Sequence, residues 1–212
     1  MAATPAQADS PKAAAASTTL VTIGPDAVSA MLAAKKQGSK VEVLDDRTDS
    51  SQTFANPDGT FSYEAYTVPQ WIQKSGTWTA LDPTLRTTAS GGIAPVLSQS
   101  PLTLSGGGDG ALATMTVNGK QFSPTWPTAL PKPTLSGATA TYADVLSGVN
   151  LQVTATPAGG VAETLIVEDA AAAADPALAS LVQTTGVSAG TTVSTDAGGT
   201  PRICTWWGYL IC

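Results

Sequence analysis

The first residues that could do chemistry are "LSGGGDGALATM", Leu104 to Met115, where Gly106, Gly107, Gly108 and Gly110 surround Asp109. Consecutive backbone N–H groups in such a loop can cradle a phosphate, and an aspartate beside them can ligate calcium. Both chemistries make further demands. A phosphate loop of the strand–loop–helix kind ends in Gly-Lys-Ser/Thr and passes into a helix whose N-terminus faces the anion. No Gly-Lys-Ser/Thr follows here, and Ala111 to Val117 is rich in strand formers. A calcium loop needs oxygen ligands at alternate positions and a distal glutamate, whereas Asp109 stands alone in its stretch. The segment therefore reads as a turn between antiparallel strands, its glycines permitting positive φ or close backbone packing.

Other reactive residues are few. The chain has no histidine, which removes Ser-His-Asp and Cys-His catalysis, histidine metal sites and the usual proton shuttle near neutral pH. Asp45, Asp46 and Asp49 cluster after a predicted strand. They lack a spaced ligand pattern and read as a solvated loop rather than a calcium site. Glu64 and Glu163 are isolated acids on predicted strands, while glycoside hydrolysis needs two carboxyls facing each other across a cleft. No enzymatic activity, cofactor or metal is expected. Trp71, Trp78 and Trp126 admit two readings: aromatics of a β core, or a platform on which sugar rings stack.

The elements that must position these residues follow from pattern. Residues 1–19 are Ala, Pro, Ser and Thr with little to bury, and disorder is expected. Ala6-Gln7-Ala8 fits the small-x-small end of a signal peptide, although no charged start or apolar run precedes it. A helix is predicted over about 25–37, in a segment 20–39 that docks on the domain. Pro25 would sit in its first turn, Val28, Met31 and Leu32 on its apolar face, Lys35 and Lys36 near its end, and Gly38 at its stop. From Lys40 the period changes to two. "VEVL" is a short strand, and "SQTFANPDGTFSYEAYTV" a hairpin with Asn56-Pro57-Asp58-Gly59 at its tip. Its second arm places Phe61, Tyr63 and Ala65 on one face and Ser62, Glu64 and Tyr66 on the other. "PQWIQKSGTWTAL" turns at Lys74-Ser75-Gly76, and Val117-Asn118-Gly119-Lys120 carries the strongest hairpin signal. In "EDAAAAADPALASL" Pro176 breaks a helical turn.

Turn signals recur about every ten residues, as in sandwiches and barrels. The expected fold is mainly β: an antiparallel β-sandwich or partly open barrel over 40–196, with the short helix before it. Charged residues make up 12%, about half the usual share of roughly 25%, which suits an exported protein. The net charge of −6 and scattered basic residues argue against nucleic acid as a partner. No stretch approaches the length of a membrane span.

The blocks "VEVLDDRT", "ANPDGTFSYEAYTVPQWIQKSGTWTALDPTL", "LSGGGDGALATM" and "LPKPTLSGATATYADVLSGVNLQVTATPAGG" together resemble the N-terminal β-rich region of large secreted actinomycete-type proteins. Those proteins carry LamG-like jelly-roll, DNRLRE-type or RHS/YD-repeat modules downstream. The resemblance runs from about Val41 to Gly199 and implies export and a place at the cell surface or outside the cell. It supplies no catalytic residue. The upstream signal segment of that pattern is missing, and after "STDAGGT" the sequence ends in "PRICTWWGYLIC" instead of another strand and further modules. This break makes residues 197–212 an atypical Trp/Cys tail. A truncated or frame-shifted gene would produce it. So would a Cys204–Cys212 disulfide loop presenting Trp206, Trp207 and Tyr209, which the sequence favours less. The expectation is a non-catalytic structural or adhesive module, here a fragment, whose partners are glycans or other cell-surface proteins. The alternative is a carbohydrate-binding module using exposed tryptophans.

Overall fold

The computed structural model describes residues 20–195, 201–206 and 210–211. The predicted disorder of residues 1–19, the signal-peptide remnant and the Cys204–Cys212 pairing lie outside the described residues. The protein is mainly β, with 47% strand against 13% helix, in several antiparallel sheets that do not close into a barrel. This arrangement is consistent with a sandwich. The chain divides into two compact units, one running through Arg47 and including Gln52–Glu64, the other comprising Thr48–Ser51 and everything from Ala65 onward. A division near residue 40 would separate the helix from the strands it packs on.

The first unit contains β1 (Ile23–Gly24), α1 (Ala27–Gln37), β2 (Val41–Val43), β3 (Ser51–Ala55) and β4 (Phe61–Ala65), in sheet order β1-β2-β3-β4. Pro25 lies before the helix rather than in its first turn, because Asp26 takes the cap position. Its Oδ1 accepts from the Ser29 N–H at 2.8 Å. That hydrogen bond holds the Asp26 carboxyl below the usual carboxylate range. Lys35 and Lys36 fill the last turn, and Gly38 closes it at φ 73°, as the pattern predicts.

The buried face of α1 is not the predicted one. Ala30 and Ala34 are buried with Val41, Val43 and Ala55, and Ala27, Met31 and Ala33 pack around them. Val28 and Leu32 are 70% and 66% exposed. The cause is close approach: a Cβ on Gly24 would lie 2.7 Å from the Ala30 backbone, so only small side chains fit between helix and strand. In β2, Glu42 is buried and gripped by Arg47 through two bonds of 2.6 Å, from Nε and Nη2. Two parallel charge-assisted bonds of this fork geometry hold both groups away from water.

The second unit begins with β5 (Trp71–Lys74) and β6 (Thr77–Ala80), which form a two-stranded ribbon. Then come β7 (Asp82–Thr87), β8 (Ile93–Leu97), β9 (Leu102–Leu104), β10 (Ala113–Val117) and β11 (Lys120–Thr125), followed by β12 (Thr134–Ser136), β13 (Thr139–Leu146), β14 (Val149–Ala155) and β15 (Val161–Val167). Two single-turn helices, α2 (Ala170–Ala173) and α3 (Pro176–Ala179), are capped by the Asp169 and Asp175 carboxylates, with the break at Pro176 where expected. The chain ends in β16 (Thr184–Val187), β17 (Thr191–Thr195), β18 (Pro201–Trp206) and β19 (Leu210–Ile211). One sheet has six strands, β16-β11-β10-β9-β8-β7, another four, β12-β13-β14-β15, and β17-β18-β19 form a third.

Several of these strands carry no sequence signal of their own. β7 contains Asp82-Pro83, which discourages a strand reading. The structure accommodates the proline where the β7–β8 register shifts, between Asp82 and Leu85. The predicted two-residue turns form as read: Ser75 and Gly76 (φ 50° and 79°) and Asn118 and Gly119 (φ 50° and 75°) all lie in the left-handed region. This is the mirror-image turn that matches strand twist.

The core of this unit lies between the six- and four-stranded sheets. Leu85, Ile93, Leu102 and Leu104 from one sheet meet Tyr142, Leu151 and Val153 from the other, with Leu112 and Trp126 filling between. Tyr142 is fully buried, and its hydroxyl donates to the Ser105 carbonyl at 2.7 Å. Burial pushes this phenol up to about 12.

Two outcomes follow. Tyr142→Phe keeps the ring and loses the bond to Ser105, so urea unfolding at neutral pH is expected to show a loss of about 1–2 kcal/mol. The native phenol contributes stability below its unfolded value of about 10, and this is lost as pH rises towards 12. The Phe variant should lack that part of the alkaline loss. Glu42→Ala removes the carboxylate against which Arg47 is buried and should cost about 3 kcal/mol or more by the same measurement.

Candidate functional site

The glycine loop between β9 and β10 is a structural connection. Three of its donors are engaged within the protein: the Ser105 N–H bonds the Leu112 carbonyl at 2.9 Å, the Gly107 N–H the Ser105 hydroxyl at 3.1 Å, and the Gly108 N–H the Leu130 carbonyl at 2.7 Å. A Cβ on Gly106 would overlap the Gly91 carbonyl and one on Gly107 would crowd the Lys132 backbone, while Gly108 and Gly110 have open space and instead take positive φ. Asp109 is exposed at the loop's surface.

The acidic candidates are engaged locally. Glu64 accepts from Lys40 Nζ at 2.7 Å, and that ammonium also lies 4.1 Å from the centre of the Phe54 ring. Glu163 accepts from Gln183 Nε2 at 2.6 Å. Asp45 and Asp46 stand in a short 3₁₀ turn after β2. The Asp49 carboxylate accepts from Gln99 and from the neighbouring Ser50 hydroxyl. Among the described residues no three acidic, histidine or cysteine side chains converge on one point, and no helix is long and apolar enough to cross a membrane.

The tryptophans part company. Trp126 is 4% exposed and belongs to the core, so it does not join Trp71 and Trp78 on a surface platform. The reason is position: it follows β11, whose Pro124 is buried, and enters the space between the sheets. Trp71 and Trp78 are half-buried and sit on the β5–β6 ribbon. The ribbon's register pairs Trp71 with Ala80 and Gln73 with Trp78. Directly paired residues share a face, so Trp71, Gln73, Trp78 and Ala80 form one side. The other side carries Ile72 and Lys74, which line an open groove with Pro95, Val96 and Leu97 of β8. Tyr66 stands edge-on to Trp71, ring centres 5.5 Å apart at 75°, an arrangement favoured by the aromatic quadrupole.

A second aromatic row lies on the first unit. Phe61 and Tyr63 share a face of β4 as the alternation predicts, and that face is the exposed one, at 51% and 67%. Their neighbours Ser62 and Glu64 are the half-buried ones.

Sequence reasoning missed Tyr66 and Gln73 as parts of an aromatic face. Gln73 was within reach, because a two-residue Ser75-Gly76 turn dictates that residue 73 opposes residue 78. The Tyr66–Trp71 contact carries no comparable signal. The buried Glu42–Arg47 pair was likewise missed.

No known family matches the chain, and neither a curated protein nor a solved structure matches it.

The two kinds of tryptophan are separable by stability. Trp126→Ala should cost about 3–5 kcal/mol in chemical denaturation, as for a large side chain removed from a packed core. Trp78→Ala, on a half-exposed ribbon, should cost less than half of that.

Proposed function

We propose that this chain is a non-catalytic structural or adhesive module of an exported protein, acting at the cell surface or outside the cell as part of a larger polypeptide. The observation that carries this reading is where the aromatic residues are placed. Phe61 and Tyr63 point outward from β4, while the cores are built mainly from aliphatic side chains. Large apolar side chains exposed in a row are costly to solubility, and such surfaces mark sites of interaction. Aromatics are also the side chains that dominate binding surfaces, since each buries a large area with few rotatable bonds.

The composition agrees with this. Low charge, absent histidine and a net charge of −6 suit a module that displays a surface rather than one that moves protons. The order of sequence blocks, which resembles the N-terminal region of large secreted proteins, supports export in the same way. The partners of such a module are glycans or other cell-surface proteins.

The test is retention of labelled protein on cell-wall fragments and on whole cells. The Phe61→Ala/Tyr63→Ala double variant should keep the parent's melting temperature within a few degrees. It should lose about tenfold or more in retention, the effect of about 1.4 kcal/mol. Equal retention of parent and variant removes the support that the β4 row lends. Turnover of any member of a polysaccharide panel overturns the non-catalytic part.

A further inference from the structure

We infer that the open edge of β4 pairs with the same edge of a second copy of this chain, joining two four-stranded sheets into one. This inference rests on reading the Phe61 and Tyr63 row as an interaction surface, and it names the partner.

The register of β4 leads there. The Asn56 N–H donates to the Thr60 carbonyl at 2.9 Å, and the Tyr66 N–H to the Ser50 carbonyl at 2.8 Å. Counting inward from both ends puts Phe61 opposite Ala55 and Tyr63 opposite Thr53. Bonded and non-bonded pairs alternate in an antiparallel ladder, so Ser62 and Glu64 turn their N–H and C=O groups towards β3. Phe61, Tyr63 and Ala65 turn theirs the other way. β4 is the last strand of its sheet, and among the described residues no strand pairs with its outer edge. Phe61, Tyr63 and Ala65 are all exposed. A strand edge of this kind is a template for another strand.

The side chains favour the same contact. Ala55 packs against α1 together with Val41 and Val43. Directly opposed residues share a face, so Phe61 and Tyr63 lie on the helix-bearing face. The Lys35 side chain lies against Gly59 at the hairpin tip, while Gln37 bonds the Val21 backbone on the far side of the helix. The flank of α1 turned to β4 therefore carries Val28 and Leu32 in line with Lys35. Val28, Leu32, Phe61 and Tyr63 are each between 51% and 70% exposed. They form an apolar strip that ends at the open edge.

The sequence of β4 selects a second copy. An antiparallel partner centred on Tyr63 uses the outward groups of Phe61, Tyr63 and Ala65 from each copy. Tyr63 then faces its equivalent, Phe61 faces Ala65, and Glu64 faces Ser62. Aromatic rings meet at the centre, a large side chain meets a small one, and the two glutamates are kept apart. Glu64 is also ion-paired with Lys40 at 2.7 Å, so the edge carries little net charge to repel its twin. The two-fold axis leaves both α1 helices on one face, with the aromatic rows of the two copies between them. Four apolar side chains and one short strand per copy cover less than the roughly 800 Å² per partner of a standard interface. The net charge of −6 per copy also opposes association, so the pair is a dissociating one.

The experiment is sedimentation velocity on the intact chain from about 1 μM to about 500 μM, in about 0.15 M salt to screen like charges. A monomer–dimer equilibrium is expected, with a Kd of about 10–100 μM. Tyr63→Lys sets two ammonium groups face to face and should stay monomeric; circular dichroism and melting curves check its fold. Cross-linking in a Cys204→Ser/Cys212→Ser background reads the register. Tyr63→Cys should give a disulfide-linked dimer under mild oxidation, because bonded partners stand about 5.5 Å apart at Cα. Phe61→Cys, whose equivalent lies about 13 Å further along the strand, should not. A parent that stays monomeric, dimerisation by folded Tyr63→Lys, or equal cross-linking of the two cysteine variants overturns the inference. In those cases, loss of cell retention by Phe61→Ala/Tyr63→Ala leaves the adhesive reading standing with a different partner, such as an extended peptide of another protein. Retention that the double variant does not change removes that reading's support as well.

Discussion

The second unit depends on the register of β14. Val149, Leu151, Val153 and Ala155 all point inward and are buried, while Asn150, Gln152 and Thr154 between them face outward. β14 pairs along its whole length with β15 and over most of it with β13. A slip of one residue would drive an asparagine and a glutamine into the core and expose three valine or leucine side chains, so the register is strongly specified. With β14 in place, Tyr142 comes opposite Leu151 and its hydroxyl reaches Ser105 in the other layer. That bond anchors the start of the glycine loop. The loop that first suggests chemistry is thus tied into the packing between sheets, with the Ser105, Gly107 and Gly108 N–H groups bonded within the protein.

The first unit obeys a different constraint. Its core is small, with two alanines, two valines and a third alanine at its centre. Apolar area of that size offsets little conformational entropy. Close approach compensates: α1 lies against Gly24 so tightly that no side chain fits there, and dispersion contacts gain from short distances. The bidentate Glu42–Arg47 pair holds the strand end from inside the same unit. A buried pair of this kind adds less net stability than its geometry suggests, yet losing one partner is expensive. It therefore acts as a requirement on the fold more than as a source of stability.

Against this economy the outward aromatics stand out. A chain with only twelve Phe, Trp and Tyr residues buries Trp126 and Tyr142 and places Phe61 and Tyr63 at the surface. Scattered exposed apolar residues need no explanation, but side chains sharing one strand face do. Trp71 and Trp78 also share one side of their ribbon, but both are half-buried. The Phe61 and Tyr63 row comes from a hairpin with a short turn, which holds a displayed side chain more rigidly than a long loop would.

Local chemistry was readable from the sequence wherever it resides in one or two residues. The turns at Ser75-Gly76 and Asn118-Gly119, the stop at Gly38 and the break at Pro176 follow from which side chains tolerate positive φ or a missing N–H, and no distant partner changes that. Period-two alternation likewise determined that the chain is mainly β and which residues share a strand face. What the tertiary structure alone decided is which of two faces goes inside. Val28 and Leu32 are more apolar than Ala30 and Ala34, yet the alanines are buried because Gly24 comes too close for anything larger. Trp71, Trp78 and Trp126 are the same residue in or beside strands, and Trp126 enters the core between the sheets while Trp71 and Trp78 stay half-buried. Burial is a property of the partner surface, and a strand's own sequence does not contain its partner.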